Sequence, residues 1–362
     1  MTQKLKLGVM TSGGDCAGLN AVIRAVVYRA IEGYGWDVYG IRHGTVGLME
    51  RPLDYRKLTL DIFTGHVLRM GGTILGSINR GDPFAFPMPD GTIKDRSDEI
   101  IEGYHELGLD ALICIGGDGS LAILRALAEK GDMKLIGIPK TIDNDVGVTE
   151  NSIGYLTAVE VATEALDRLH PTAVSHNRIM VLEVMGRDAG HIALSAGIAG
   201  GADAILLPEI PWSVEGLADR ARRTEETGRH FGLIMVAEAA KLPEGETVRH
   251  RQSDGSYRLG GIAERVGDLI QEATGTETRA TVLGHVQRGS SPNSRDRLFG
   301  SAYGVHAVDL VAAGKFDRMV AWSNRAVIDV PLAEAIRAPQ EVDPHGALAQ
   351  TARGLGIYIG DN

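Results

Sequence analysis

The sequence predicts an α/β protein with two doubly wound, parallel-sheet (Rossmann-like) domains that face each other across a cleft. Three observations support this prediction. Short apolar runs alternate along the chain with longer segments of helical periodicity. Most of these runs are continuously apolar, as expected for strands that are buried on both faces of a parallel sheet. Glycine is frequent, with 47 of 362 residues, which fits many tight turns between strands and helices.

Each element has its own signal in the sequence. The first predicted helix keeps apolar residues at a 3.6-residue period from Leu19 to Ile31 and ends at Gly33. Residues 155–170 and 295–313 show the same pattern. The polar, turn-rich segment 239–260 is predicted to be a surface excursion. Apolar, mostly β-branched runs predict strands at residues 5–11, 37–41, 111–117, 134–140, 178–184, 204–209, 232–238, 281–285 and 318–322.

Composition excludes several classes of protein. A net charge of −10 argues against a surface for nucleic acid or anionic membranes. Only two cysteines, Cys16 and Cys114, exclude a disulfide scaffold and a Cys-rich zinc module, and they fit a reducing compartment. The N-terminal residues lack the pattern of a signal peptide, and no apolar stretch is long enough for a membrane span. We therefore expect a cytoplasmic protein.

The first predicted strand runs into a glycine-rich segment, TSGGDCAGLN, at residues 11–20. Gly13 and Gly18 have the spacing of a P-loop, but Leu19 and Asn20 replace its Lys-Ser/Thr pair, which argues against a P-loop NTPase. Two glycines after a strand let the backbone approach a ligand, and the next helix presents free N–H groups to an anion. A purely structural turn explains the segment equally well.

A second glycine corner, GGDGS at residues 116–120, follows the strand at 111–117. Ser120 is the predicted N-cap of the next helix. The glycines leave room for a polyphosphate, and Asp118 is placed to hold Mg²⁺, which usually takes one or two carboxylates plus phosphate oxygens. The third glycine of a dinucleotide fingerprint is missing. A plain turn is the alternative, but the matching GGD after the first strand favours a functional site.

A third segment, PKTIDND at residues 139–145, follows another buried strand. Asp143 and Asp145 are costly to place at the mouth of a sheet unless they bind a ligand or catalyse a reaction. One of them is a candidate general base for a hydroxyl group, and the other is a candidate metal ligand. The alternative is a solvated, Asx-rich loop.

Cations come from the second half of the chain. Arg178 opens a predicted strand, Arg187 follows the end of the same strand, and Arg279, His285 and Arg288 flank TVLGHVQRG. In an acidic protein, an arginine at a strand end favours recognition of phosphate or carboxylate. His285 alone is equally consistent with a structural histidine that bonds to the backbone.

Taken in order, these segments resemble the 6-phosphofructokinase family, from the first strand to about residue 325. The resemblance implies a glycolytic kinase that transfers a phosphoryl group to the 1-hydroxyl of fructose 6-phosphate. It also implies a homotetramer whose subunits share active sites. It further implies a donor-binding domain at 1–154 plus about 286–336, and a fructose 6-phosphate-binding domain at about 155–285 plus 337–362. The motifs that carry it are SGGDCAGLNAVIR, GGTILGS, IGGDGS, PKTIDND, IGYLTA, RIMVLEVMGR, AGIAGG and ETRATVLGHVQRG.

The resemblance also implies a role for each matching residue. Asp143 would take the proton from the 1-hydroxyl, and Thr141, Asp145 and Arg187 would position or neutralise the transferring group. Asp118 would hold Mg²⁺. The donor would contact Gly14, Arg80, Gly117, Asp118, Gly119, Ser120 and Lys140. The sugar phosphate would contact Thr141, Ile142, Asp143, Met185, Gly186, Arg187, Glu238, His285 and Arg288, with Arg178 and Arg279 reaching its 6-phosphate from a neighbouring subunit.

The identity of the donor depends on two positions. Pyrophosphate-dependent members of the family typically carry Asp where Gly119 stands and Lys where Lys140 stands, and the best-known ATP-dependent members carry Gly at both. Gly119 leaves space for the nucleotide's α-phosphate, so we predict ATP, with pyrophosphate or ADP as alternatives. Thr45 replaces the family's adenine-stacking Tyr, and Ile123 is bulkier than usual, so the nucleotide pocket is predicted to be reshaped.

Two further hypotheses lie outside this activity. A nicotinamide-dependent dehydrogenase is disfavoured by the incomplete dinucleotide fingerprint. A non-catalytic sugar-phosphate sensor is disfavoured because Asp118, Asp143 and Arg187 are all retained.

Overall fold

The computed structural model of the chain describes residues 4–79, 81–251 and 257–360. Within these ranges the chain packs into two compact units. The first comprises Met1–Thr157 and Arg288–Pro339, and the second comprises Ala158–Gln287 and Gln340–Asn362. In the described part of the chain, no helix combines the length and apolar character that crossing a bilayer requires.

The strands, in chain order, are β1 (Lys6–Thr11), β2 (Asp37–Ile41), β3 (Tyr55–Leu58), β4 (Phe86–Pro87), β5 (Ile93–Lys94), β6 (Ala111–Gly116), β7 (Leu135–Thr141), β8 (Ile153–Gly154), β9 (Ile179–Val184), β10 (Ala204–Leu206), β11 (Gly232–Ala237), β12 (Arg249–Arg251), β13 (Tyr257–Leu259), β14 (Thr278–Val282), β15 (Arg318–Ser323) and β16 (Ala326–Pro331). The α-helices are α1 (Leu19–Tyr28), α2 (Val46–Met49), α3 (Ser97–Leu107), α4 (Asp118–Gly131), α5 (Tyr155–His176), α6 (His191–Ala199), α7 (Val214–Glu226), α8 (Ile262–Thr274), α9 (Ser294–Ala312), α10 (Leu332–Ala335) and α11 (Ala347–Gly354).

The first unit is built on one large sheet with the strand order β16-β15-β7-β6-β1-β2-β3, and β8 pairs with β7. Its central strands are parallel, but β3 and β16 pair antiparallel at the two edges. From β1 the chain moves to β2 on one side, whereas β6 lies on the other side. The order therefore reverses between β1 and β6, and ligands bind at the carboxyl ends of strands beside such a switch point.

Helices and a buried aspartate complete the first unit. Helix α1 packs against α9, and α4 packs against α3 and against β6 and β7. Asp296, which is fully buried on α9, accepts hydrogen bonds from the backbone N–H groups of Gly154 and Thr157, 2.9 and 2.8 Å away. A buried carboxylate satisfied in this way ties the start of α5 to α9.

The second unit contains a four-stranded parallel sheet with the order β10-β11-β9-β14. Helices α7 and α8 pack together, and α6 packs against β10, β11 and α11. Strands β12 and β13 form a separate antiparallel pair. The carboxyl end of β9 is followed by Met185, and this end carries the predicted sugar-phosphate turn.

The predicted α/β class with doubly wound, Rossmann-like sheets is confirmed, and four details of the prediction are corrected. The strand predicted at 281–285 is β14 at Thr278–Val282, so His285 lies in the 3₁₀ turn Gly284–Arg288. Helix α5 continues to His176 rather than ending near residue 170. The strand predicted at 204–209 ends at Leu206. The edge strands β3 and β16 were not predicted: exposed polar residues interrupt the apolar pattern of β3, and Asp329 interrupts that of β16, which is partly exposed along its length.

Candidate active site

The three polar segments predicted as functional all follow neighbouring strands of the first unit's sheet. β7, β6 and β1 are consecutive in the sheet, and parallel strands end at the same edge. The N–H of Ser12 donates to the carbonyl of Ile115 across this edge, at 3.0 Å. The sheet thus brings the first glycine corner, the second glycine corner and the PKTIDND segment together.

Gly13 has a backbone conformation that favours glycine, and its neighbours leave little space for a side chain. Its φ is +83°, and a Cβ at this position would lie 3.1 Å from Ser120 Oγ and 3.2 Å from Lys140 Nζ. The carbonyl of Gly13 accepts a hydrogen bond from Ser77 Oγ at 2.5 Å. The first corner is therefore packed against the second one, with little space for any side chain.

The second corner begins helix α4 earlier than the sequence predicted. The N-cap is Gly117 and the helix starts at Asp118, so the prediction of Ser120 as N-cap is wrong. Asp118 takes the first helical position, where the partial positive charge of the helix N-terminus favours a carboxylate. A Cβ built on Gly119 would meet no described atom within 4 Å. This corner therefore combines N-terminal N–H groups, one carboxylate and open space.

Lys140 reaches inward toward the first corner. Its side chain is 4% exposed, and Nζ donates to the carbonyl of Gly14 at 2.5 Å. Burial lowers the pKa of this ammonium group, and the nearby guanidinium of Arg288 lowers it further. A buried cation beside a glycine corner is stabilised when an anion such as a phosphate binds nearby.

The PKTIDND segment is buried, so its interpretation as a solvated loop is wrong. Thr141, Asp143 and Asp145 are all less than a tenth exposed. Asn144 adopts a left-handed conformation with φ +55°, and its Oδ1 accepts a hydrogen bond from the N–H of Ser152 at 2.8 Å. The N–H of Asp143 donates to Thr141 Oγ1 at 3.1 Å. These bonds fix the loop and hold two carboxylates at the sheet edge.

Arg288 belongs to the first unit, where it contacts the first corner. Its NH1 atom donates to the carbonyl of Asp15 at 2.9 Å, and a Cβ on Gly14 would lie 3.0 Å from the same atom. Arg80, which the sequence predicts to contact the donor, lies outside the described residues.

The described residues contain no cluster of three or more His, Cys, Asp or Glu side chains that could enclose a metal ion. A site that offers one carboxylate, such as Asp118, suits a hard divalent cation that takes its other ligands from phosphate and water. The residues present therefore fit Mg²⁺ bound together with a polyphosphate.

In the second unit, Met185, Gly186 and Arg187 form a turn after β9 that two side chains hold. The N–H of Met185 donates to Gln287 Oε1 at 2.8 Å. The N–H groups of Gly186 and Arg187 donate to Glu238 Oε1 at 3.4 and 3.1 Å. Arg187 has a φ of +52° and an exposed guanidinium. The turn therefore depends on Gln287 and Glu238 for its conformation.

Two predicted arginines lie at the opposite end of β9. Arg178 immediately precedes β9, and Arg279 pairs with Met180 in the register of β14. Both guanidinium groups face Glu277. Because β9 has six residues, this end lies about 20 Å from the turn that contains Arg187. Within one chain, the sheet separates these arginines from that turn.

His285 lies beside a residue that the sequence did not single out. Its Nδ1 atom is 3.2 Å from Arg258 NH2, so its partner is a guanidinium on β13. Gln287 and His250 were also missed. Gln287 is 1% exposed, and its position next to Arg288 in TVLGHVQRG was the only sequence signal available.

Comparison with known proteins agrees with this geometry. A family model described as "Phosphofructokinase" matches residues 6–311. The chain is 59% identical over 357 residues to "ATP-dependent 6-phosphofructokinase 1" of Synechocystis sp., with 99% of each chain covered. It is 58% identical over 361 residues to the protein of the same name from Nostoc sp., with 100% of each covered. Among solved structures, phosphofructokinase from Saccharomyces cerevisiae matches with a TM-score of 0.78 and 31% identity, over 98% of this chain and 47% of that chain.

Proposed function

Because the chain belongs to the phosphofructokinase family, we propose that it transfers the γ-phosphoryl group of ATP to the 1-hydroxyl of fructose 6-phosphate, giving fructose 1,6-bisphosphate. The observation that carries this proposal is full-length identity of 58–59% to relatives named as ATP-dependent 6-phosphofructokinases. The prediction of ATP over pyrophosphate is confirmed by these relatives. Open space at Gly119 is consistent with it.

The donor phosphates contact the two glycine corners of the first unit. Backbone and hydroxyl groups come close to these phosphates from Gly14, Gly117, Gly119 and Ser120. The N-terminal N–H groups of α4 face the same region. Lys140 supplies a positive charge behind the first corner. Asp118 would hold Mg²⁺, which would supply positive charge to neutralise the donor's phosphates.

Asp143 acts as the general base. Its carboxylate accepts the proton of the 1-hydroxyl as that oxygen forms a bond to the γ-phosphorus and the bond to ADP breaks. Thr141 and Asp145 position the reacting groups, and the guanidinium of Arg187 neutralises charge on the transferring phosphoryl group. Support comes from the buried, hydrogen-bonded loop that holds Asp143.

A further set of residues binds fructose 6-phosphate. The residues that contact the sugar are Ile142, Met185, Gly186, Glu238, His285 and Arg288. Arg178 and Arg279 bind the 6-phosphate of a neighbouring subunit's substrate, because they lie about 20 Å along β9 from the turn at Arg187. We accordingly propose a homotetramer with shared active sites. The two cysteines, which are free and buried, fit the reducing cytoplasm.

The test compares donors on the purified enzyme. With fructose 6-phosphate and Mg²⁺, we expect turnover with ATP to exceed turnover with pyrophosphate, and Asp143→Asn to lose on the order of 10²- to 10⁴-fold in kcat. Binding of fructose 6-phosphate to Asp143→Asn, measured by calorimetry, should stay near that of the wild type. Turnover that depends on pyrophosphate, or full activity of Asp143→Asn, would refute the respective assignment.

A further inference from the structure

The segment 239–260 does more than cover the surface, because part of it lines a pocket. The described part of the second unit contains a pocket of about 310 Å³ whose wall includes Met185 and Glu238. The lining also includes His250 of β12 and Arg258 of β13. The β12–β13 strand pair therefore borders residues that already have a role at the sugar phosphate.

Arg258 determines which nitrogen of His285 carries a proton. A guanidinium group has only donors, so the 3.2 Å contact between Arg258 NH2 and His285 Nδ1 requires a lone pair on Nδ1. The proton of the neutral imidazole then sits on Nε2. His285 is thereby prepared to donate a hydrogen bond to a hydroxyl or phosphate oxygen from Nε2.

Two of the carboxylates that line this pocket accept hydrogen bonds from backbone N–H groups. Glu183 accepts hydrogen bonds from the N–H groups of Gly261 and Ala263 at the start of α8. Glu238 accepts them from the turn after Met185. Glu264 also lines the pocket. Arg258, whose side chain is exposed, is the arginine among the described lining residues, and it gives this acidic wall its strongest group for recognising a phosphorylated sugar.

We propose that Arg258 is a positioning residue for the sugar phosphate: it holds His285 in the Nε2–H tautomer and offers its remaining N–H groups to the substrate in this pocket. The proposal rests on the proposed function, because the ligand of the pocket is fructose 6-phosphate. It assigns a substrate-recognition role to the β12–β13 strand pair.

The experiment compares Arg258→Met, Arg258→Lys and a matched control, Arg249→Met. Arg249 lies on the same strand pair, and its Nε donates to Thr247 Oγ1, so the control removes an equal charge outside the pocket. Arg258→Met should raise KM for fructose 6-phosphate on the order of 10- to 100-fold, as expected for a charge-assisted hydrogen bond. It should leave KM for ATP unchanged and affect kcat less than KM. Arg258→Lys should recover part of the loss, and Arg249→Met should match the wild type.

Direct binding separates failure of this proposal from failure of the proposed function. Titration of fructose 6-phosphate into wild-type enzyme without donor should show binding, and Arg258→Met should weaken it by the same factor as KM. Absence of wild-type binding and turnover would overturn the proposed function. Wild-type activity with an unchanged KM in Arg258→Met, or an equal loss in Arg249→Met, would overturn the role of Arg258 alone. If Arg258→Met fails to fold, a wild-type KM in Arg258→Lys overturns the guanidinium's role, and a raised KM supports it.

Discussion

Gly119→Asp tests the assignment of ATP as the donor, at a predicted donor-binding position that has open space beside it. A Cβ at this position meets no described protein atom within 4 Å, so the substitution introduces no overlap within the protein. An acidic residue in the first turn of α4 is expected to add about 0.3–1 kcal/mol of stability through the helix dipole. Any loss of activity is therefore attributable to the donor rather than to folding.

The size of the effect follows from Coulomb's law. Two unit charges about 4 Å apart repel by about 4 kcal/mol at an effective dielectric constant of about 20. Gly119 is exposed, so solvent and salt reduce this repulsion, and we take about 1.4–2.8 kcal/mol. Since about 1.4 kcal/mol corresponds to a factor of ten, kcat/KM for ATP should fall on the order of 10- to 100-fold.

Steady-state kinetics with ATP and with pyrophosphate, at saturating fructose 6-phosphate, measure this effect. Gly119→Ala serves as the control, because it adds the Cβ without the charge and should keep most of the ATP activity. Thermal melting should show both variants at least as stable as the wild type. A kcat/KM for ATP within twofold of the wild type in Gly119→Asp, or an equal loss in Gly119→Ala, would refute the reasoning.

Two other predictions concern the second unit. Gln287→Ala removes the acceptor for the N–H of Met185, a hydrogen bond worth about 1 kcal/mol. KM for fructose 6-phosphate should therefore rise about fivefold, whereas KM for ATP should stay near that of the wild type. Burial raises the pKa of Glu183 above its ordinary value of 4.5, so between 4.5 and the raised pKa the folded state keeps a proton that the unfolded state has lost. The free energy of unfolding therefore falls as pH rises from about 4.5 through the raised pKa. Glu183→Gln should match the wild type near pH 4.5 and become relatively more stable toward about pH 7.5 in thermal melts.

Each of these predictions has a contradicting outcome. If Gln287→Ala changed KM for ATP as much as KM for fructose 6-phosphate, its effect would be general loosening rather than support of the turn. If the difference in melting temperature between Glu183→Gln and the wild type stayed constant with pH, the carboxyl of Glu183 would titrate alike in the folded and unfolded states.

The place of the predicted donor-side segments in the fold could be predicted because their signals are local. A continuous apolar run identifies each of β1, β6 and β7, and the polar or glycine-rich segment that follows must lie at the carboxyl end of a parallel strand. The error at Ser120 has a local cause too: a serine is a good N-cap, but Gly117 already supplies the extended conformation that a helix start needs.

The second unit was harder to predict because its contacts join distant parts of the chain. Gln287 bonds to Met185 across 102 positions, and Arg258 approaches His285 across 27. Neither contact leaves a periodic pattern, and a polar segment such as 239–260 resembles any surface loop. Edge strands β3 and β16 were missed for a related reason, because one exposed side removes the continuous apolar run that identified the central strands.

Gly119 is typical of ATP-dependent members of the family and Lys140 of pyrophosphate-dependent members. The surroundings of the two residues explain how both can occur in one ATP-dependent enzyme. Lys140 points inward, donates to the carbonyl of Gly14 and is almost fully buried, so it supports the glycine corner that we propose as the binding place of the donor phosphates. Gly119 faces open space, where a nucleotide differs from pyrophosphate in what it requires. Charge at the buried position attracts both donors alike, and only volume and charge at the open position discriminate between them. The lysine is therefore compatible with ATP, and we propose that Gly119 is the position that decides the choice of donor.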